Sequence, residues 1–267
     1  MKARKIVKLG RYMRARLRPK SALPFFWHIG RPNFGDDINP RFFEMIDGRK
    51  VRLETDRARP HFLGMGSILE RATPCSTVLG AGFIQKPDGQ APQVGRVVAV
   101  RGQLSREHFN QPNVLLGDPM VLLELLCPHQ ASRHIEIGFV PHVSEVREAK
   151  ALRIPGLEII DPALDPMAVI HKISQCKRVF SQSLHGLIVA DALRVPSVWV
   201  APGAKMKGGA FKFHDYFTTL DAPKTPMKFD ADALSRTTLK EFHVSNYKFD
   251  KREYLEAVQE ALHAEAG

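Results

Sequence analysis

The chain is poor in cysteine. Its 267 residues hold three, Cys75, Cys127 and Cys176, widely separated and without a CxxC pair. That spacing excludes a zinc knuckle and a disulfide framework, and it suits a reducing cytoplasm. No run of about eighteen apolar residues occurs, so the sequence offers no membrane-spanning helix. Internal repeats and low-complexity segments are missing, as is the GxSxG pattern of a nucleophilic serine turn. Acidic residues are absent from the first twenty positions, MKARKIVKLGRYMRARLRPK, which carry nine lysines or arginines. This arm also lacks the apolar stretch that a secretory signal needs.

What is present is an ordinary core and an uneven charge. The composition, 44% hydrophobic and 25% charged, fits a soluble globular protein and excludes disorder or fibre. The formal net charge is +11, and without the arm it is 11 − 9 = +2, so the body is nearly neutral. A basic arm of this kind is either a solvated terminus or a contact for nucleic acid or an anionic membrane. The body shows no basic and aromatic interleaving, so no nucleic acid is expected. A working arm would hold a cytoplasmic enzyme at the inner face of a membrane, each basic residue adding up to about 1 kcal/mol.

Short apolar runs recur with room for helices between them. FFWHI (25–29), HFLGM (61–65), TVLGAGF (77–83), VVAVR (97–101) and NVLLG (113–117) are predicted strands of the first half. IEIGFVPH (135–142), LEIID (157–161), KRVFSQS (177–183) and PSVWV (196–200) are those of the second. Most do not alternate in polarity, as expected for parallel strands covered on both faces. INPRFFEMI, GQLSREHFN, DPMAVIHKISQC and GLIVADALR read as intervening helices, and a last helix runs from about Lys251 to Ala264. The alternation predicts an α/β fold with parallel sheets. A polar stretch, CPHQASRH (127–134), divides it. The expected organisation is a basic arm (1–20) and two Rossmann-like halves, 21–130 and 131–267, the latter with the C-terminal helix. That last helix has a face for either half.

In such sheets ligands bind beyond the carboxyl ends of the strands, so the residues following each strand are the candidates. After the first come Asn33, Gly35 and Asp36, with Asp37 adjacent; two carboxylates beside a glycine exceed what a helix cap needs. Gly66 and Ser67 follow the next, and Gly80-Ala81-Gly82 another. Arg101 ends a buried strand and must meet either a ligand anion or an acid such as Asp118, itself at a strand end. In the second half His142 ends a strand, and Ser181, Gln182, Ser183 and His185 form a strand-to-helix turn. The free N–H groups of that helix start, with these hydroxyls, would suit an anion. Lys205, Lys207 and Lys212 lie in a glycine-rich basic loop, either an anion-gripping flap or a solvated one.

NFGDDINP, GMGSIL, VRGxxS, GDP, VPH, SLHGLIVADALRVP and KFHDYF occur in an order that resembles the polysaccharide pyruvyl transferase family, over roughly residues 25–220. The resemblance implies a GT-B-like fold, two Rossmann-like domains with parallel sheets facing a cleft, 21–130 on the acceptor side and 131–267 on the donor side. It implies transfer of pyruvate from phosphoenolpyruvate to a sugar of a surface or exopolysaccharide as a ketal, with a saccharide acceptor that is free or lipid-linked. The donor-site arginine of the family falls on Arg101, its Leu-His-Gly histidine on His185, and the Gly-Asp of its first loop on Gly35-Asp36. Several members carry arginine where this chain has Ser183; the succinoglycan-type members resemble the serine version, and Lys205, Lys207 or Lys212 would supply the charge. His185 is then the candidate acid, Arg101 the donor grip, and Asp36 the base on an acceptor hydroxyl. No metal-ligand cluster appears in the sequence, so no metal or other cofactor is expected, phosphoenolpyruvate being a co-substrate. Two rivals stand beside this reading: a GT-B glycosyltransferase using a nucleotide sugar, which would need a ribose-gripping carboxylate such as Asp191, and a catalytically silent glycan-binding protein.

Overall fold

The computed structural model describes residues 10–264 apart from positions 14, 20, 110, 112, 128–131 and 205. Lys205, the first nine residues of the basic arm and the middle of the polar stretch between the halves lie outside the described residues.

The strands are β1 (Leu23–Phe25), β2 (Val51–Leu53), β3 (His61–Leu63), β4 (Ser76–Leu79), β5 (Arg96–Val100) and β6 (Leu115–Leu116), then β7 (Ile137–Val140), β8 (Leu157–Ile159), β9 (Val179–Ser181) and β10 (Ser197–Trp199). The first six form one sheet in the order β2-β1-β3-β4-β5-β6, and the other four a second in the order β10-β9-β7-β8. All neighbours run parallel. Every residue of β3, β4, β9 and β10 is buried, which explains their unalternated sequences. β2 was not apparent in the sequence. It is a short edge strand whose Arg52 is half-buried between buried Val51 and Leu53. Its pairing, Leu23 to Val51 through Phe25 to Leu53, sets β1 earlier than the FFWHI run suggests. The chain after Phe25 then leaves the sheet as a loop.

The helices are α1 (Phe34–Asp37), α2 (Asn39–Asp47), α3 (Gln103–Arg106), α4 (Leu123–Leu126), α5 (Val146–Ala151), α6 (Pro166–Ser174), α7 (Leu184–Ala192), α8 (Phe211–Phe217), α9 (Ala231–Arg236) and α10 (Lys251–Ala264). α6 starts where Asp165 accepts from the Met167 and Ala168 amides, and α7 where Ser183 accepts from Gly186, each side chain satisfying donors the helix leaves free. All nine residues of α7 are buried. It packs against α4, α6, β10 and the 3-10 turn Pro119–Leu122, and so lies between the halves. One apolar core runs from Phe25 and Phe62 through Met120 to Leu187, Trp199 and Tyr216. α10 returns to the first sheet, where the Tyr254 hydroxyl lies 2.7 Å from the Leu79 carbonyl and 2.9 Å from that of Gly117.

The result is two Rossmann-like parallel α/β units facing a cleft, a GT-B-like arrangement. Strand order reverses between β1 and β3 in the first sheet and between β7 and β9 in the second. These are the points where α/β sheets open crevices at their carboxyl edges.

Candidate active site

A cleft of about 590 Å³ opens where the two reversals meet. The first unit lines it with Arg31, Asn33 and Asp36 after β1 and Ser67 after β3. The second contributes His142 after β7, Ser183 and His185 after β9, and Lys207 and Lys212 from the glycine-rich segment. Eight residues singled out from the sequence therefore converge: Asn33, Asp36, Ser67, His142, Ser183, His185, Lys207 and Lys212.

The loop after β1 is built around its two carboxylates. Asp36 accepts from the Asn33 amide side chain at 3.0 Å and faces the cleft. Asp37 turns away, accepting from the Asn33 backbone at 3.1 Å and pairing with Arg11 of the basic arm. Burial raises the Asp37 pKa, with Arg11 opposing. Asn39 ties the loop down by donating to the Asp36 and Met65 carbonyls and accepting from the Met65 amide. Gly66 lies beside Asp36, a Cβ there falling 3.5 Å from its carboxylate. Gly35 touches the other unit so closely that a Cβ would sit 2.1 Å from His185 Nδ1. Only glycine allows that approach.

His185, in the first turn of α7, is 7% exposed. The edge of Phe34 packs against its ring with centroids 6.3 Å apart. His142 bonds through Nδ1 to Ser144 at 2.7 Å, and its backbone N–H donates to Gln182. Burial, with the Lys212 and Arg31 charges adding, pushes the His142 pKa down to about 4, so at neutral pH this ring offers hydrogen bonds rather than charge. Lys212 is half-buried on α8; burial first and then Arg101 push its pKa down to about 8, against the opposing pull of Asp36. Gly208, at φ 76, lets the basic segment meet the first unit, since a Cβ there would lie 2.1 Å from the Ile84 carbonyl.

Three predicted site residues stand behind the cleft wall. Arg101 is fully buried, and its acid is Asp215 rather than Asp118. The guanidinium pairs with Asp215 at 2.9 Å and donates to Ser67 Oγ at 2.8 Å and the Phe83 carbonyl at 2.6 Å. Its donors are therefore spent on the protein. Asp118 is also fully buried; one oxygen accepts from the Met120 amide, and the other lies 3.6 Å from His185 Nε2. Ser181 is buried and closes the turn, donating to the Ser183 carbonyl at 2.8 Å and accepting from the Ser183 amide. Sequence reasoning passed over two arginines that do line the cleft, Arg31 and Arg71. Arg31 lies inside the GRPNFGDD loop, but a loop arginine carries no pattern that marks where it points. Asp191 is fully buried, ion-paired with Lys224 at 3.0 Å and accepting from the Tyr216 hydroxyl, so it faces no ligand.

Chemically, the cleft offers an anion four cationic side chains and the Ser67 and Ser183 hydroxyls, beside the Asp36 and Glu70 carboxylates and the imidazoles of His28, His142 and His185. Residues 95–203 match the polysaccharide pyruvyl transferase family. The chain is 32% identical over 230 residues to the succinoglycan biosynthesis protein ExoV of Rhizobium meliloti, covering 81% of this chain and 71% of that protein. It is 27% identical to an uncharacterized protein of Acanthamoeba polyphaga mimivirus, covering 73% of this chain and 74% of the other. A crystal structure of an uncharacterized protein from Klebsiella pneumoniae superposes with a TM-score of 0.44 at 12% identity, covering 79% of this chain and 90% of that one. With the identity to the succinoglycan protein spread over most of both chains, the chain belongs to the polysaccharide pyruvyl transferase family.

Proposed function

We propose that the protein moves pyruvate from phosphoenolpyruvate onto two hydroxyls of one sugar in an exopolysaccharide or surface glycan, forming a ketal. The observation that supports this most is the meeting of Arg31, Lys207 and Lys212 with His185 and Asp36 in one cleft at both strand reversals. Phosphoenolpyruvate brings a phosphate and a carboxylate, which call for such cations. In this reading Ser67 and Ser183 hydroxyls add donors, and Arg31 supplies the charge that arginine at position 183 would have given. Arg101 acts from behind, holding Ser67 toward the cleft.

His185 delivers a proton to the methylene carbon of the donor, which leaves positive charge on the carbon bearing the phosphate. One sugar hydroxyl adds there, its proton drawn toward Asp36. The carbon–oxygen bond to phosphate then breaks, and the second hydroxyl closes the ketal. Of the two hydroxyl protons, one balances the new methyl group and the other leaves with phosphate. A lipid-linked acceptor at the cytoplasmic face of a membrane suits the basic arm, which is tied through Arg11 to the cleft loop at Asp37 and the Gly30 carbonyl. The nucleotide-sugar rival loses its ribose grip, since Asp191 is taken by Lys224.

The test is phosphate release by the purified chain from phosphoenolpyruvate, measured against a panel of lipid-linked and model glycosides. Release should need both substrates, and the product should gain the mass of pyruvate less water. No release with any glycoside, together with a melting temperature raised by a nucleotide sugar and not by phosphoenolpyruvate, would overturn the proposal. A ligand at a hundred times its dissociation constant adds about 2.7 kcal/mol.

A further inference from the structure

Two buried polar atoms without hydrogen-bond partners face each other across the join between the halves. They are Asp118 Oδ2 and His185 Nε2, 3.6 Å apart. Buried groups left unsatisfied are uncommon and costly. Here each is the partner the other lacks, since a neutral or charged imidazole carrying its proton on Nε2 is a donor and a carboxylate is an acceptor. A shift of about half an ångström would bring them within hydrogen-bond range.

Both groups are held in place. Asp118 follows β6 and is fixed by its second oxygen, which caps the 3-10 turn through the Met120 amide at 3.0 Å. The His185 ring is confined by Phe34 on one side and by the Gly35 backbone next to Nδ1. With Nε2 directed at Asp118, the other nitrogen, Nδ1, lies on the side of Gly35 and the cleft loop. The aspartate belongs to the first unit and the histidine to the second, so the pair exists only where the halves meet.

We infer that Asp118 is the positioning residue of His185: its carboxylate accepts the Nε2 proton, fixes the tautomer, and supports the imidazolium whose Nδ1 proton goes to the donor. Asp118 itself touches no substrate. The inference rests on the proposed reading of His185 as proton donor.

Asp118→Asn tests it with little disturbance, because the new side chain can keep its carbonyl on the Met120 amide. Its NH2 then replaces the oxygen facing His185 and donates to Nε2, forcing the proton onto Nδ1. Nitrogen NMR of the histidine-labelled free protein, at a pH where the ring is neutral, should show the Nε2–H tautomer in the parent and Nδ1–H in the variant. Turnover should fall by about 10²–10⁴ with phosphoenolpyruvate affinity within threefold of the parent. The double variant Asp118→Asn/His185→Gln should be no slower than His185→Gln alone, because residues acting as a unit are not additive. An unchanged tautomer would overturn the pairing. Losses that multiply in the double variant would make Asp118 act independently of His185 and overturn the inference. The NMR result stands whatever the substrate is, so a failure of the pair is distinguishable from a failure of the pyruvyl-transfer reading.

Discussion

Lys212 enters the cleft half-shielded from water and within reach of the Arg101 charge, which together push its pKa from 10.5 to about 8 while Asp36 pulls the other way. A bound anion favours the charged form again, so above about pH 8 donor binding must take up a proton. Phosphoenolpyruvate affinity should then fall by up to about tenfold per pH unit from about pH 8 to 10. Lys212→Arg, charged throughout that range, should bind with a flat profile; calorimetric titration of both proteins checks this, and parallel slopes would rule the role out. Stability moves in the opposite sense. The unfolded lysine holds its proton up to about 10.5 and the folded one only to about 8, so this group's contribution rises with pH across that window. The sequence made Asp36 and His185 legible because each follows a strand or opens a helix, and Lys212 because it lies in a glycine-rich basic run. It could not separate Arg101 from a ligand-gripping arginine, because its partner Asp215 lies 114 residues away and a strand-end arginine looks the same with either neighbour.

What Arg101 holds is an element. Asp215 sits on α8 three residues beyond Lys212, on nearly the same helix face. Its carboxylate accepts from the Ser105 amide at 2.9 Å and the Ser105 hydroxyl at 2.7 Å, while Thr218 accepts from the Gln103 amide at 2.8 Å. α8 is thereby fastened to the start of α3 in the first unit, and Lys212 is aimed into the cleft. Removing one partner of such a buried pair leaves a charge without compensation, so Arg101→Ala should cost about 3–5 kcal/mol of stability. A urea titration reads this as a lowered midpoint. An unchanged midpoint with weakened phosphoenolpyruvate binding would instead make Arg101 a donor contact. Long or wholly apolar elements such as α7 and α10 were legible from pattern alone. The edge strand β2 and the one-turn helix α1 were not, because runs this short carry too few residues to show a period.

At the scale of the whole molecule, the alternation of strands and helices made two parallel α/β units legible. The return of α10 to the first sheet was not, since an amphipathic helix shows that it packs and not on what. The charge asymmetry was legible too, and the structure gives it a location. Arg11 fastens the arm to the cleft loop, while Met13 and Leu17, four residues apart, are 45% and 76% exposed. If the arm lies on anionic lipid, these two side chains would face the bilayer beside the basic residues, and the cleft would stand near the surface that presents the acceptor. Replacing Lys2, Arg4, Lys5 and Lys8 with glutamine removes four of the nine positive charges and leaves the Arg11–Asp37 link intact. Each charge contributes up to about 1 kcal/mol near an anionic surface, so binding to phosphatidylserine vesicles at low salt should weaken by as much as about a thousandfold. Turnover on a water-soluble acceptor should not change. Raising the ionic strength should bring the parent toward the variant, because exposed charges are screened within about 10 Å at 0.1 M salt. Equal vesicle binding by both proteins at low salt would leave the arm no membrane role.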